Sequence, residues 1–214
     1  MFKSKVMEMF ITLEGVEGSG KTTVAKGLIK ILESNDYAVI YTREPGGNPI
    51  AESIRDVILD RSNTDMDPRT EALLYAAARR QHLVDVIEPA LKAGKIVICD
   101  RFIDSSIAYQ GYARNIGPDF IEHMNHFATA GKKPDLTFLI DVKPEVGLAR
   151  INKDENREIN RLDLEGMDFH NAVYKGYHEL AKKDRDRIKV IDGERVVAGI
   201  VTEIYQIIAS RLTS

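Results

Sequence analysis

The sequence has no tryptophan and one cysteine, Cys99. A lone thiol closes no internal disulfide, so a core must hold the fold. Cys99 lies in the apolar run Lys95–Cys99 and reads as a small core residue of a reducing compartment. No apolar run approaches the ~20 residues that span a bilayer. The amino terminus, Met1–Met9, carries charges but no uninterrupted apolar segment, which argues against a signal peptide. Neither sign of charge dominates: 30 Lys and Arg stand against 33 Asp and Glu, a net charge of −3. That excludes a general basic field for nucleic acid or an anionic membrane, so any attraction to phosphates must be local. No repeat or low-complexity segment stands out. A cytoplasmic protein without nucleic-acid or membrane partners is expected.

What is present is ordinary in bulk. The 214 residues, 43% hydrophobic and 29% charged, suit one α/β domain, 1–214, with a sizeable core. The informative stretch follows the apolar run Phe10–Leu13: Gly15-Val16-Glu17-Gly18-Ser19-Gly20-Lys21-Thr22-Thr23. It fits the P-loop pattern of a glycine, four free positions, then Gly-Lys-Ser/Thr. Glycines let the backbone turn tightly and aim N–H groups at a phosphate. Lys21 offers a mobile ammonium to the terminal phosphates, and the Thr22 hydroxyl can ligate their Mg²⁺. Helix formers follow, which places the loop at a helix N-terminus. The motif says ATP-like nucleotide plus magnesium, and leaves the phosphate acceptor open.

Along the chain, Ala38–Tyr41 reads as a second buried strand. It delivers Arg43-Glu44-Pro45-Gly46-Gly47 to the strand edge that carries the P-loop. This loop reads equally as a ligand site or a solvated turn. Pro49–Leu59 should be a helix with Ile50, Ile54, Val57 and Ile58 inward and Arg55 among its polar residues. Asp67 and Pro68 open a long helix burying Leu73, Leu74, Ala76, Ala77, Leu83, Val84 and Ile87, with a kink or restart at Pro89 and a stop at Gly94. Tyr75 and Arg79 share one face of it and could hold a planar base, or form a plain surface pair. Lys95–Cys99 is a strand ending in Asp100-Arg101, where a Walker-B-like carboxylate would reach magnesium through water. Ser106 and Gln110 follow at helical spacing. His123 and His126 lack acidic or cysteine partners at metal-ligand spacing and read as surface residues. From about 153 to 166 the apolar pattern lapses. This stretch is a solvated loop or a mobile lid carrying Arg157 and Arg161 over phosphates. The remaining strands, Leu136–Ile140 and Ile188–Ile191, bring the total to about five, interleaved with helices, hence a parallel sheet covered on both faces.

Together these motifs resemble thymidylate kinases, nucleoside-monophosphate kinases of the P-loop fold, over nearly the whole chain. The resemblance rests on the P-loop, on Arg43–Gly47, on Glu71-Ala72-Leu73-Leu74-Tyr75-Ala76-Ala77-Ala78-Arg79, on Asp100–Gln110 and on Asp141–Leu148. It implies transfer of a phosphoryl group from ATP to dTMP in a homodimeric enzyme, with Mg²⁺. Tyr75 matches a ring, usually Phe, that stacks on thymine. Arg79, Ser106 and Gln110 match residues that read the base, and Arg55 and Arg101 match arginines on the acceptor's 5′-phosphate. Glu17 matches a carboxylate at the sugar 3′-hydroxyl, and Tyr109 an aromatic that disfavours a 2′-hydroxyl. Glu44 and Pro45 fall in the matched acceptor loop. Lys21, Asp100, Arg101, Arg157 and Arg161 are the expected catalytic set, with Thr22 and Asp100 toward the metal. The P-loop has no arginine, so the resemblance assigns the transition-state arginine to the lid. The nearest rival is another P-loop nucleoside-monophosphate kinase with a different acceptor, and a GTP-binding switch is the rival from another class. Its Asn-Lys-x-Asp motif is misspelt in Asn152-Lys153-Asp154-Glu155, and Asp163–Gly166 lies in the wrong order for it.

Overall fold

The computed structural model describes residues 7–153 and 160–212. Five strands, β1 (Met9–Glu14), β2 (Val39–Arg43), β3 (Ile96–Asp100), β4 (Leu136–Asp141) and β5 (Ile188–Asp192), form one sheet in the order β2-β3-β1-β4-β5. Every pairing is parallel, as the alternation of strands and helices implies. Side-chain alternation divides each strand between two cores. Ile11, Leu13, Ile96, Ile98, Phe138 and Ile140 face α1 (Lys21–Ser34) and α9 (Val197–Leu212). Phe10, Val97 and Cys99 face the opposite layer, where Leu83, Ile87, Leu91 and Phe102 pack. Leu139 meets α8 (Met167–Lys183) through Val173, Tyr177 and Leu180. Cys99 is fully buried, and burial pushes its thiol well above the usual range.

Register brings three strand ends together. Leu13 and Arg43 both pair with Asp100. Arg101 N–H donates to Leu13 O and Glu44 N–H to Asp100 O, each at 3.0 Å. The residues that follow β1, β2 and β3 therefore open on one edge, as parallel sheets require of a ligand site.

Local chemistry sets the helix ends. Asn48 accepts from Ala51 N at 2.7 Å and opens α2 (Pro49–Leu59). Asp67 accepts from Arg69 N and Thr70 N and opens α3 (Pro68–His82), with Pro68 at the first position. The expected kink is realised ahead of Pro89 as a wider, π-type turn over Leu83–Ile87, followed by α4 (Glu88–Lys92). Proline lacks an N–H and its ring presses on the carbonyl one turn back, and the wider turn accommodates both. Beyond β3, α5 (Ile103–Ser106) likewise widens into a π-type stretch, Ile107–Ala113. α6 (Pro118–Thr129) and α7 (Pro144–Asn152) complete the helices used below.

The burial pattern departs from the sequence reading on α2 and α3. Ile50, Val57, Leu73 and Ala77 are exposed, whereas Ala51, Ala72 and Ala78 are buried; Ile58 is buried as expected. α2 and α3 pack on each other and turn their other inner faces toward the strand edge, leaving an apolar strip outside. The expected lid, 153–166, falls partly on 154–159, outside the described residues.

Candidate active site

The P-loop joins β1 to α1 with Gly15, Gly18 and Gly20 at φ of 143°, 68° and 91°. Gly18 is required twice over, by its left-handed backbone and by its neighbour. A Cβ there would lie 2.1 Å from Gly147 O on α7, and a Cβ on Gly147 would lie 2.2 Å from Glu17 O. The loop is thus clamped against α7 with no room for a methyl group. Gly147→Ala is expected to push the loop from its phosphate-binding position and lower kcat/KM for ATP on the order of tenfold or more. An ATP titration at saturating acceptor reads this, and unchanged kinetics would show that the clamp does not set the loop.

Lys21 lies folded along the loop. Its Nζ donates to Gly15 O, Val16 O and Ser19 Oγ at 3.0, 2.9 and 3.1 Å. Burial, with Arg101 nearby, lowers its ammonium pKa to about 8. Thr22 Oγ1 donates to Asp100 Oδ2 at 3.0 Å, placing two hard oxygen ligands side by side at the loop's mouth. Tyr41 donates to the same carboxylate oxygen at 3.3 Å, and burial beside Asp100 pushes its phenol up to about 12.

Arg101 occupies the left-handed region at φ 70°, a conformation that a non-glycine residue keeps only when its surroundings impose it. Five contacts impose it. Its own N–H bonds Leu13 O, and the next N–H, of Phe102, bonds Glu14 Oε1 at 2.7 Å. Its guanidinium donates to Glu17 Oε1 at 3.2 Å and to Ser105 Oγ and Tyr177 OH at 3.2 and 3.0 Å. Glu14 is fully buried and also accepts from Ser105 and Tyr177. Desolvation, then Asp104, raises its pKa to about 7.

Glu17 Oε1 also accepts from Tyr109 OH, and His170 Nδ1 stands 3.5 Å from Oε2, a charge contact rather than a formed hydrogen bond. Burial alone would raise Glu17, but His170, Arg101 and Tyr109 outweigh it and bring the carboxyl down to about 2. Glu17 in turn raises His170, against burial, with Asp163 also contributing. Since His170 is raised, its contribution to stability is full below its ordinary 6.5 and fades as pH climbs through the raised value. Glu17, held low, contributes above its ordinary 4.5 and loses that only toward pH about 2. The Tm gap between the parent and His170→Asn should therefore be widest between pH 4.5 and 6.5 and narrow above that window. Both groups are buried, so the gap should exceed the ~1 kcal/mol of an exposed ion pair, or about 2–4 °C in a chain of this size. Melting curves across pH test it, and a gap that widens at alkaline pH contradicts it.

Across from the P-loop, Arg79 is almost completely buried on α3. Nε donates to Glu44 Oε2 at 2.7 Å, Nη1 to Ser106 Oγ at 2.8 Å and to Asn125 Oδ1, and Nη2 to Phe102 O at 3.0 Å. A guanidinium has five N–H donors, so one Nη2 hydrogen remains. His82 steadies Glu44 through Nδ1 at 2.9 Å while its Nε2 meets Thr42 Oγ1 at 2.6 Å. Glu44, His82 and Cys99 lie at metal-binding separations, but both imidazole nitrogens and the carboxylate are already engaged, so the cluster serves the Arg79 network. Gln110 Nε2 donates to Glu71 Oε1 at 2.8 Å, and Arg55 Nη1 to Pro45 O at 3.0 Å.

A cleft of about 650 Å³ joins both halves. Of the residues expected from the sequence, Glu17 through Thr23, Glu44, Pro45, Arg55, Tyr75, Arg79, Asp100, Arg101, Ser106, Tyr109 and Gln110 line it. Gly15 and Val16 lie beneath, supplying carbonyls to Lys21. Arg161 takes a different place from the expected one over phosphates. Its guanidinium turns into the protein, donating to Ile58 O at 2.9 Å and Glu71 Oε2 at 2.5 Å. The cause is electrostatic, because the buried Glu71 carboxylate needs counter-charge. Arg157 lies outside the described residues. Sequence reasoning gave no role to Glu14, Glu71, Asn125, His170 or Tyr177. Glu14 had a legible sign, a carboxylate closing an apolar strand just before the P-loop, and Glu71 opens a stretch on which the resemblance rests; the others are polar residues of ordinary helices and carried none.

Comparison with known proteins agrees with this geometry. A family model described as "Thymidylate kinase" matches residues 13–204. The chain is 57% identical over 195 residues to a protein of Clostridium novyi named thymidylate kinase, covering 91% of this chain and 95% of that one. A Bacillus cytotoxicus protein of the same name is 52% identical over 204 residues, covering 95% and 98%. A solved structure described as thymidylate kinase from Ehrlichia chaffeensis superposes with a TM-score of 0.76 at 36% identity, covering 95% of this chain and 99% of that one.

Proposed function

The chain belongs to the thymidylate kinase family, enzymes that phosphorylate dTMP with ATP, and from that premise we propose how its residues carry out the transfer. The observation that carries the reading is the pattern of hydrogen-bonding groups beside Tyr75. Arg79 retains one N–H, and Gln110, whose amide nitrogen is bound to Glu71, has a carbonyl oxygen that meets no donor among the described residues; both residues line the cleft. A donor next to an acceptor complements thymine, which offers O4 as acceptor and N3–H as donor. Cytosine reverses both. Tyr75 supplies the stacking ring, Arg55 and Arg101 hold the acceptor phosphate, and Glu17 with Tyr109 faces the sugar.

The nucleophile is an oxygen of the dTMP phosphate, ionised at neutral pH, so the transfer needs no general base. It attacks the γ-phosphorus of ATP as the bond to the β-phosphate oxygen breaks, and ADP leaves. Positioning and charge neutralisation carry the catalysis. Lys21 exchanges the loop carbonyls it holds for phosphate oxygens, and Arg101 brings the acceptor phosphate into line. The adjacent oxygens of Thr22 and Asp100 suit Mg²⁺, the hard cation that accompanies ATP and offsets charge on its phosphates. Because Arg161 anchors to Glu71, Arg157 is the lid arginine proposed to meet the transferring phosphoryl group, with the segment 153–166 as the closing lid of a one-domain kinase.

The exposed strip on α2, α3 and α6 supports a homodimer. Ile50 and Val57, Leu73 and Ala77, and Phe120 and Phe127 follow one another across three adjoining helices, with Phe120 75% and Phe127 88% exposed. Phe127→Glu is expected to shift the sedimentation coefficient from dimer to monomer; a dimeric variant would place the contact elsewhere. The lone buried thiol suits the cytoplasm, and among the described residues no helix is long and apolar enough to cross a membrane. ADP release measured with dTMP, dUMP, dCMP, dAMP and dGMP as acceptors tests the base reading. dTMP should give the highest kcat/KM; faster turnover of dCMP or a purine nucleotide would refute it.

A further inference from the structure

Glu71 lies at a crossing that the reaction itself does not require. Its carboxylate is fully buried on α3, and Oε1 accepts from Gln110 Nε2 at 2.8 Å and Arg114 Nε at 3.3 Å. Oε2 accepts from Arg114 Nη2 at 3.2 Å and Arg161 Nη2 at 2.5 Å. Burial opposes its charge, but Arg114 and Arg161 overcome this and hold the carboxyl below the usual range, so at neutral pH it can only accept. A primary amide has two chemically different ends of nearly equal shape, and its neighbours decide which end points where. Glu71 leaves Gln110 no choice. The NH₂ must face the carboxylate, which leaves the carbonyl oxygen, met by no protein donor among the described residues, for whatever occupies the cleft that Gln110 lines.

We propose that Glu71 is a specificity-determining positioning residue: by fixing the orientation of the Gln110 amide, it makes the acceptor site present a hydrogen-bond acceptor to the base, admitting pyrimidines with N3–H and rejecting those with an unprotonated N3. This rests on the reading of Gln110 as a base contact. The same carboxylate holds Arg161, so the orientation is locked from the lid flank and from α3 together. Without a buried acceptor behind it, the amide can turn, and its NH₂ then satisfies cytosine N3.

The test is the ratio of kcat/KM for dTMP to that for dCMP. Glu71→Gln offers Gln110 an amide that can accept or donate, and the ratio is expected to fall on the order of 10–100-fold, without reversing because Arg79 still presents a donor. Arg114→Gln removes a partner of the same carboxylate without changing what faces Gln110. It should lower Tm and leave the ratio unchanged. The double exchange Glu71→Gln with Gln110→Glu keeps the charge of the pair and again turns an acceptor oxygen to the base, so the ratio should recover toward that of the parent. A ratio unmoved by Glu71→Gln, an equal fall in Arg114→Gln, or a double exchange as unselective as the single variant would each overturn the inference. Gln110→Leu separates the two levels. If it leaves the ratio unchanged, the base contact itself is wrong; if it lowers the ratio while Glu71→Gln does not, only the role of Glu71 falls.

Discussion

Lys21→Met is expected to lower kcat on the order of 10³-fold while leaving Tm close to that of the parent. The size follows from what the ammonium does in the transition state. Charge spreads over the transferring phosphoryl oxygens, and a preorganised cation in a partly desolvated site is worth several kcal/mol there. The small change in stability follows from the partners Lys21 has in the protein. They are two carbonyls and a hydroxyl rather than a carboxylate, so methionine strands no buried charge. Steady-state kinetics together with thermal melting separate the effects. A variant with near-normal kcat would remove the P-loop from the chemistry.

The two lid arginines should behave oppositely. Arg157→Ala is expected to cost on the order of 10³ in kcat with little change in Tm, as removal of an arginine finger does. Arg161→Ala removes a counter-charge from a buried carboxylate, and loss of one partner of such a pair costs about 3–5 kcal/mol. Arg114 still faces Glu71, so the lower end of that range applies, or a fall in Tm of about 6–12 °C. Single-turnover rates and melting curves for the two variants decide it. The exchange of outcomes, a stable but inactive Arg161→Ala beside an active Arg157→Ala, would return Arg161 to the phosphates.

The contrast between these arginines marks where the sequence was legible. Patterns with a local physical cause came through: the P-loop glycines, the Asp67 cap, the strand ends at Arg43 and Asp100, and the shared face of Tyr75 and Arg79. The structure adds what depends on distant partners. Arg161 lies 90 residues from Glu71, Tyr177 lies 163 from Glu14, and Asn125 lies 46 from Arg79, and no spacing rule encodes such pairings. The apolar face of α2 misled for a related reason. Periodicity locates an amphipathic strip, but Ile50 and Val57 are exposed on the chain, on the side proposed to meet a second copy. Even the P-loop is incompletely described by its motif, because its clamp is Gly147, a helical residue far along the chain.

The stereochemical course of the transfer tests the central claim, a single direct displacement between two nucleotides held in one cleft, most directly. With ATP made chiral at the γ-phosphorus by oxygen isotopes and sulfur, the phosphoryl group recovered on dTDP should show inverted configuration. Retention would mean two successive displacements through a phosphorylated side chain, and would contradict direct in-line transfer in this cleft.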